Sequence, residues 1–328
     1  MSRYKKLFNQ GNFYYLSGQY DNAINSFKQA LEIRPRDFNV KVKLIKAYRD
    51  CGKFDKAILI CNACLKDKRI DTLQSIEIHN NLGDIYARKG EYDKAIDTFK
   101  SLLEIVPGDY SVLNVIGSMY LHKGEKENAL EMFKEALKYD SHFLYTWRNL
   151  AEVYKNLGDF DKAIHVYNIV LRTAPKDTIC WINLGFTFNS KGKYDRAVKA
   201  YKRALNIDPD NKDAWNNMEF SYICKKEYKQ AINALKRAMK IDPEYKIACR
   251  NLAYASLIKG DYSRAISKYR LLLESEPENN LLWFNLAVAY FRSNLYDQAL
   301  DACNRSLKIK PNSDNVITLR KDILKFKN

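Results

Sequence analysis

Apolar residues recur along most of the chain with the spacing of helices that bury one face. In the stretch WRNLAEVY, residues 147–154, Trp147, Leu150, Ala151 and Tyr154 stand at i, i+3, i+4 and i+7. These four residues therefore share one side of a helix, while polar residues occupy the other sides. The pattern predicts an amphipathic helix here and similar helices in the related stretches WINLGFTF, WNNMEFSY and WFNLAVAY.

The helical segments belong to an internal repeat marked by the pattern G-x-[YF]-D-x-A. Its alanine recurs at one constant interval, except that a short insertion lengthens the interval between the second and third copies. Each unit has two helical segments separated by the Gly turn, and Pro follows the second segment in most units, where it ends the helix. The nine alanines are Ala23, Ala57, Ala95, Ala129, Ala163, Ala197, Ala231, Ala265 and Ala299.

These columns and their period resemble the tetratricopeptide repeat, which is about 34 residues long. The resemblance covers 4–313 and implies an all-α fold: an α-solenoid, built as a right-handed superhelix of antiparallel helix pairs with a concave groove for protein ligands. It is similar to the superhelix of O-linked N-acetylglucosamine transferase, although the segment after the array is too short for a catalytic domain. We expect a capping helix at 314–328. The expected repeats are 4–37, 38–75 with the insertion, 76–109, 110–143, 144–177, 178–211, 212–245, 246–279 and 280–313.

Composition supports a helical protein and suggests a compartment. Apolar residues make up 46% of 328 residues, whereas Gly and Pro number only 12 and 7. Seven cysteines, an odd count inside helical patterns, are typical of free thiols in a reducing environment. The N-terminal residues lack the apolar region of a signal peptide, and no apolar run has spanning length. A cytoplasmic protein without membrane insertion is therefore expected.

A second stripe on each first helix lies beside the core residues, and Asn stands at its centre in seven units. In the resembling family this side faces the concave groove. An Asn amide offers one C=O and one NH₂, which match a peptide bond and can hold an extended chain without reading its sequence. Asn is also common at this place in such repeats, so a purely structural role stays open. The column is Asn9, Asn81, Asn149, Asn183, Asn217, Asn251 and Asn285.

From the sixth unit onward this stripe becomes apolar, with Phe186, Phe220 and Tyr254 among its members. A helix that is apolar on two sides must bury the second side against something. Neighbouring helices could cover it, or a hydrophobic peptide or amphipathic helix could bind there. Arg148 and Arg250 stand next to the Asn column and could favour acidic ligands. No unit has the Lys/Asn pair of the chaperone-binding clamp found in some relatives.

Catalytic and metal-binding signatures are weak. The four histidines are dispersed, and no nucleophile motif or phosphate-binding glycine loop is present. Cys61 and Cys64 have metal-ligand spacing, but both stand at core positions of a second helix, which favours buried structural thiols. We therefore expect no enzyme, no cofactor and no metal.

Together these observations predict a non-catalytic scaffold or adaptor for protein–protein interaction. It would bind a polypeptide segment in the groove through the Asn column and through apolar contacts in the C-terminal half. The net charge of +16 leaves an alternative, an RNA- or polyanion-binding solenoid. Against that alternative, no dense basic block is visible along the sequence. The partner and the oligomeric state stay open.

Overall fold

The computed structural model describes residues 2–327, which form 19 α-helices. The chain divides into two compact units, Met1–Asp159 and Phe160–Asn328. Across the described residues, no helix is both long and apolar enough to cross a membrane. The helices of the first unit are α1 Arg3–Leu16, α2 Tyr20–Ile33, α3 Phe38–Asp50, α4 Phe54–Leu65, α5 Thr72–Lys89, α6 Tyr92–Ile105, α7 Tyr110–Lys123, α8 Lys126–Tyr139 and α9 Leu144–Asn156.

The second unit continues the same succession of helices. It comprises α10 Phe160–Thr173, α11 Thr178–Ser190, α12 Tyr194–Ile207, α13 Lys212–Cys224, α14 Tyr228–Ile241, α15 Lys246–Lys259, α16 Tyr262–Ser275, α17 Asn280–Arg292, α18 Tyr296–Ile309 and α19 Asp314–Lys327. Within each unit the helices pack in consecutive pairs, and several odd-numbered helices also contact the next odd-numbered helix, as α3 does with α5 and α11 with α13. The fold is thus an all-α solenoid, as the sequence predicted.

Local sequence explains where the helices begin and end. Asp37, Asp109 and Asp177 cap α3, α7 and α11 by accepting a backbone N–H of the first turn. The turn inside most pairs passes through a glycine with φ between +72° and +88°, a conformation that costs other residues energy. In the seventh pair Lys226 occupies this place with φ of 62°.

The tightest contact inside a pair joins a small residue of the odd helix to an aromatic ring of the even helix. A Cβ added to Gly117 would lie 2.6 Å from the Phe133 ring, and one added to Gly185 would lie 2.8 Å from the Tyr201 ring. Gly11 and Gly83 approach phenylalanine rings in the same way. Glycine therefore lets the two helix backbones close over the ring.

Two pairs with a large residue at the small position show a matching exchange on the facing helix. Ile45 replaces the small residue of the second pair, and the aromatic position opposite holds the smaller Cys61. Glu219 replaces it in the seventh pair, and Leu235 stands opposite. All four side chains are buried. In these two pairs a larger residue on the odd helix is thus matched by a smaller one on the even helix.

The short insertion between the second and third repeats lies inside a helix. α5 has 18 residues and begins at Thr72, so the extra turn places the start of the third pair before residue 76. Asp71 accepts the backbone N–H of Gln74 at 2.8 Å, and the Gln74 side chain accepts the backbone N–H of Asp71 in return. This capping box stabilises the added turn.

The last helix, α19, packs on the preceding pair through Val316 and Ile323, which are fully buried. Phe326, by contrast, is 66% exposed, and its ring lies 5.6 Å from that of Phe291. Lys327 forms an ion pair with Asp297. The helix thus covers the end of the ninth pair incompletely.

The same kind of ion pair recurs between successive helix pairs. A lysine at the end of one odd helix, or just beyond it, reaches an aspartate at the start of the preceding even helix. Exposed ion pairs of this kind contribute little to stability, because water screens the two charges. The pairs are Lys53–Asp21, Lys89–Asp55, Lys123–Asp93, Lys191–Asp161 and Lys225–Asp195, in addition to Lys327–Asp297.

We expect Gly117→Ile to destabilise the chain by more than about 3 kcal/mol, because the new side chain overlaps the Phe133 ring. Adding Phe133→Cys copies the Ile45/Cys61 combination and should recover part of that loss. Urea unfolding followed by circular dichroism measures both variants. A double variant no more stable than Gly117→Ile would contradict the volume exchange.

We also expect Glu219 to make the stability of the chain depend on pH. Burial raises the pKa of the Glu219 carboxyl to about 7. The contribution of Glu219 to the free energy of unfolding is therefore fully present below the unfolded-state pKa of about 4.3. It is lost as pH rises through the folded-state pKa. The free energy of unfolding should fall by on the order of 3 kcal/mol across this interval.

The comparison with Glu219→Gln isolates this effect, since Gln carries no titrating group. The difference in stability between wild type and Glu219→Gln should grow from about pH 5 to pH 8, in favour of the variant. Glu244→Gln, an exposed site on the same unit, should leave the pH dependence of stability unchanged. Parallel curves for wild type and Glu219→Gln would overturn the assignment.

Candidate protein-binding face

The predicted Asn column lies on the odd-numbered helices, but its members differ in burial and in bonding. Asn9 on α1 is exposed, Asn81 on α5 is buried, and the other five are half-buried. Asn9, Asn81 and Asn149 belong to the first unit, whereas the remaining four belong to the second. The column is therefore not a uniform row of exposed amides.

Three asparagines of the column use their amide inside the protein. Asn81 donates to the Glu77 carbonyl oxygen at 2.7 Å, one helical turn earlier. Asn149 donates to Asn114 Oδ1 on the preceding odd helix at 3.0 Å, where the Thr146 hydroxyl also donates at 3.1 Å. These bonds connect or stiffen odd helices, so part of the column has a structural role.

Asn251 repeats the arrangement of Asn149 in the second unit. Its Nδ2 donates to Asn216 Oδ1 at 3.1 Å, again on the preceding odd helix. Both acceptors, Asn114 and Asn216, stand 35 residues before their donors. Sequence reasoning missed this link, although the presence of a second Asn one place before the column in the preceding repeat could have signalled it.

Asn183 and Asn285 differ from these members of the column. Within residues 2–327 neither amide forms a hydrogen bond, and Asn217 only accepts from Asn216 at 3.4 Å. Their NH₂ groups could therefore donate to a ligand. All three lie on odd helices of the second unit, which also carries the apolar stripe.

The apolar stripe of the second unit is exposed. We name it the odd-helix apolar face: six side chains on α11, α13, α15 and α17, at two positions of the repeat. Neighbouring helices leave between 48% and 63% of each side chain accessible. Cover by the neighbours, one of the two readings of the sequence, therefore does not apply to these residues. They are Ile179, Phe186, Phe220, Ile247, Tyr254 and Leu281.

Charged residues add little net charge to this face. Arg250 pairs with Glu276 at 3.1 Å, and Asp213 accepts a hydrogen bond from the Tyr245 hydroxyl at 2.7 Å. Hydrogen bonding from Asn279 and the charge of Arg250 lower the pKa of Glu276 and keep it ionised. An acidic ligand would have to compete for Arg250, so the face suits an uncharged apolar segment.

The corresponding face of the first unit is charged and largely neutralises itself. Arg49 bonds both Asp50 at 2.8 Å and Asp84 at 3.1 Å, while Lys46 pairs with Glu77 at 3.1 Å. Burial alone would raise the pKa of Asp50, but hydrogen bonds from Arg49 and Tyr15 lower it. In the same unit the Arg148 guanidinium lies over the Tyr145 ring at 5.1 Å.

One open cavity lies away from the predicted face. Its volume is about 730 Å³, and it is lined by residues of α16, α17 and α18, including Trp283, Arg270 and Arg305. Trp283 donates its indole N–H to the Pro277 carbonyl at 2.8 Å, and Arg305 lies over its ring. The polar atom of the indole is thus already bonded within the protein.

Cys61 and Cys64, the two cysteines with metal-ligand spacing, are buried in α4. Burial raises the pKa of Cys61 to about 12. No group of three or more His, Cys, Asp or Glu residues that could hold a metal ion occurs among residues 2–327.

Comparison with known families agrees with the fold. Tetratricopeptide repeat profiles match residues 4–37, 74–141, 120–181, 226–279 and 259–314, and a TPR repeat profile matches 185–218. Taken together, these matches cover most of the chain. The chain belongs to the tetratricopeptide repeat family.

Curated relatives match only in part. The Hsp70-Hsp90 organising protein of Plasmodium falciparum is 25% identical over 99 residues, which are 29% of this chain and 18% of that protein. Tetratricopeptide repeat protein 21A of Mus musculus is 30% identical over 95 residues, 29% of this chain and 7% of that protein. Protein O-mannosyl-transferase TMTC1 of Homo sapiens is 24% identical over 104 residues, 32% of this chain and 11% of that protein. Each match thus spans less than one fifth of the relative.

Solved structures share the fold. A tetratricopeptide repeat protein from Parabacteroides merdae aligns over 77% of this chain and 98% of its own, with 19% identity and a TM-score of 0.58. YrrB, described as a TPR protein with an unusual peptide-binding site, aligns over 58% of this chain and 99% of its own, with 18% identity and a TM-score of 0.51. At these identities the likeness concerns the fold alone.

The two kinds of column asparagine should respond differently to substitution. Asn149→Ala removes a hydrogen bond between odd helices and should destabilise the chain by about 1 kcal/mol. Asn183→Ala removes no such bond and should stay within about 0.5 kcal/mol of wild type. Urea unfolding of both variants measures this. Equal losses would show that the bonding pattern does not distinguish them.

Proposed function

We propose that the chain is a non-catalytic protein-interaction scaffold that binds an apolar polypeptide segment on the odd-helix apolar face of the second unit. The observation that carries the proposal is the regular exposure of six large apolar side chains on four successive odd helices. Single exposed apolar residues are ordinary, but a repeating series marks an interaction site. The peptide-binding site named for YrrB supports the same class of ligand.

Apolar contacts contribute most of the binding free energy in this proposal. Full burial of a large apolar side chain is worth about 1.5–3 kcal/mol, so covering these half-exposed groups would give roughly 1 kcal/mol each. The amides of Asn183, Asn217 and Asn285 would add about 0.5–1.5 kcal/mol each. A micromolar complex requires about 8 kcal/mol. The asparagines alone would bind too weakly, so they orient a ligand that the apolar groups hold.

The ligand of this face differs from an acidic chaperone tail. The clamp residues of such relatives are absent from the sequence, and Arg250 is already paired with Glu276. A segment with apolar side chains at intervals, either extended or as an amphipathic helix, fits the face better. The likeness to an Hsp70-Hsp90 organising protein supports a scaffold in general.

The triple variant Phe186→Ser, Phe220→Ser and Tyr254→Ser tests the proposal. Peptides selected from a random library displayed on phage against the full chain serve as probes. We expect selected peptides rich in apolar residues, and at least about a tenfold loss of affinity in the variant, since removing about 1.4 kcal/mol of contact free energy suffices for that. Isothermal titration at two salt concentrations should show little salt dependence.

The control variant carries Leu59→Ser and Leu271→Ser, two exposed leucines on even helices. It should bind the selected peptides as wild type does. In the same assay Asn183→Ala with Asn285→Ala tests capture of the ligand backbone, for which we expect a several-fold loss. Peptides that bind the triple variant as tightly as wild type would refute the proposal.

A further inference from the structure

Among the even-numbered helices, positive charge is concentrated on three. α12 carries four basic residues and one acidic residue, α14 four basic and none acidic, and α16 three basic and one acidic. Their net charges of +3, +4 and +2 together exceed half of the total of +16. In the first unit, by contrast, α2 and α6 each carry one more acidic than basic residue.

The repeat brings these charges into register. Lys202 and Arg203 on α12 stand one repeat before Lys236 and Arg237 on α14, and Arg270 on α16 follows Lys236 at the same interval. All five side chains are exposed. Along the sequence the basic residues look dispersed, because each even helix is separated from the next by an odd helix. In the fold the three even helices belong to successive helix pairs. Equivalent positions of the repeat therefore lie on the same side of the array, and the charges form one surface.

Most of these charges have no ionic partner within residues 2–327. Arg264 pairs with Asp261, and Arg196 lies over the Phe188 ring. Lys89, Lys123 and Lys225, by contrast, form ion pairs with aspartates of the preceding even helices. The basic residues of the three helices other than Arg196 and Arg264 form what we call the outer basic face: Lys199, Lys202, Arg203, Lys229, Lys236, Arg237, Lys240, Lys268 and Arg270.

We propose that the outer basic face binds the phosphodiester backbone of a double-stranded nucleic acid without reading its sequence. This surface lies on even helices and is distinct from the odd-helix apolar face, so the proposal does not depend on the proposed polypeptide binding. Packed helices lie about 8–10 Å apart, so successive even helices are at most two such spacings apart and the three span no more than roughly 40 Å. One turn of a duplex covers about 34–36 Å.

The make-up of the surface favours a duplex over other anions. Single-stranded nucleic acid is held by exposed aromatic rings on which bases stack, and no exposed aromatic residue occurs on α12, α14 or α16. A membrane site needs apolar side chains that enter the lipid, whereas Ile207, Ile241 and Leu271 are exposed singly, one per helix. Duplex backbones need only positive charge at regular intervals.

Counterion release predicts how steeply the binding constant should fall with salt concentration. Each neutralised phosphate contributes about −0.9 to the slope of log K against log salt concentration. If four or five of the nine charges reach phosphates, the slope is about −4. Binding through the apolar face would leave the slope near zero, so the two surfaces have separable signatures.

The test uses the full chain and a short labelled duplex of mixed sequence, prepared both as DNA and as RNA. Fluorescence anisotropy between about 50 and 200 mM salt gives affinity and slope. The variant Lys202→Gln, Arg203→Gln, Lys236→Gln and Arg237→Gln should bind more than about 100-fold more weakly at the lower salt. Its slope should fall by about 1 for each lost phosphate contact.

A matched control removes four exposed lysines from even helices of the first unit: Lys28→Gln, Lys56→Gln, Lys134→Gln and Lys138→Gln. It changes net charge equally and should keep most of the affinity. Circular dichroism and binding of the selected peptides verify that both variants are folded. The proposal is supported if the DNA duplex, the RNA duplex or both bind wild type and the control variant but bind the outer-basic-face variant much more weakly.

Three results would overturn it. One is equal loss in the variant and the control, which would mean a diffuse effect of net charge. Another is tighter binding of the matching single strand than of the duplex. The third is binding of phosphatidylserine vesicles or polyglutamate by a chain that does not bind the duplex.

Discussion

The close approach of two helices within each repeat controls the rest of the structure. A small residue on the odd helix faces a ring on the even helix, and in the pairs with Gly117 or Gly185 not even a methyl group fits between them. Because this contact fixes the distance between the helices, it also fixes which sides of each helix remain outside. Where the small residue is lost, as at Ile45, the residue opposite is the smaller Cys61.

With its packed sides fixed, each odd helix has one remaining side, and that side differs between the two units. In the first unit it carries charges that neutralise one another, through Arg49, Asp50 and Asp84. In the second unit it carries large exposed apolar groups and several amides that form no hydrogen bond among the described residues. The same scaffold therefore presents two chemically different surfaces, and the repeating series of exposed apolar groups at two positions of the repeat lies on the second unit.

Net charge is also distributed unevenly among the helices. Among the even helices, α12, α14 and α16 carry most of the net positive charge, whereas the six residues of the odd-helix apolar face lie on odd helices. Apolar and basic side chains are thus separated onto different helices. Overall composition is therefore a poor guide to any one surface, because the total charge averages over surfaces of different chemistry.

The sequence by itself determined the repeat, the helix pairs and the identity of the core columns. A constant period with alternating apolar and small positions permits little else, since each pair must bury its face against the next. It also identified the residues of the apolar stripe, such as Phe220 and Tyr254. What it could not decide was whether neighbouring helices cover them, because exposure depends on the spacing between helices and not on periodicity.

Only the tertiary structure separated the asparagines into two groups. Asn149 and Asn251 donate to side chains 35 residues earlier, while Asn183 and Asn285 form no such bond among the described residues. All four are equivalent in the repeat pattern, yet a hydrogen bond requires a partner within about 3 Å in space. The outer basic face arose in the same way, since residues one repeat apart become neighbours only when the pairs stack.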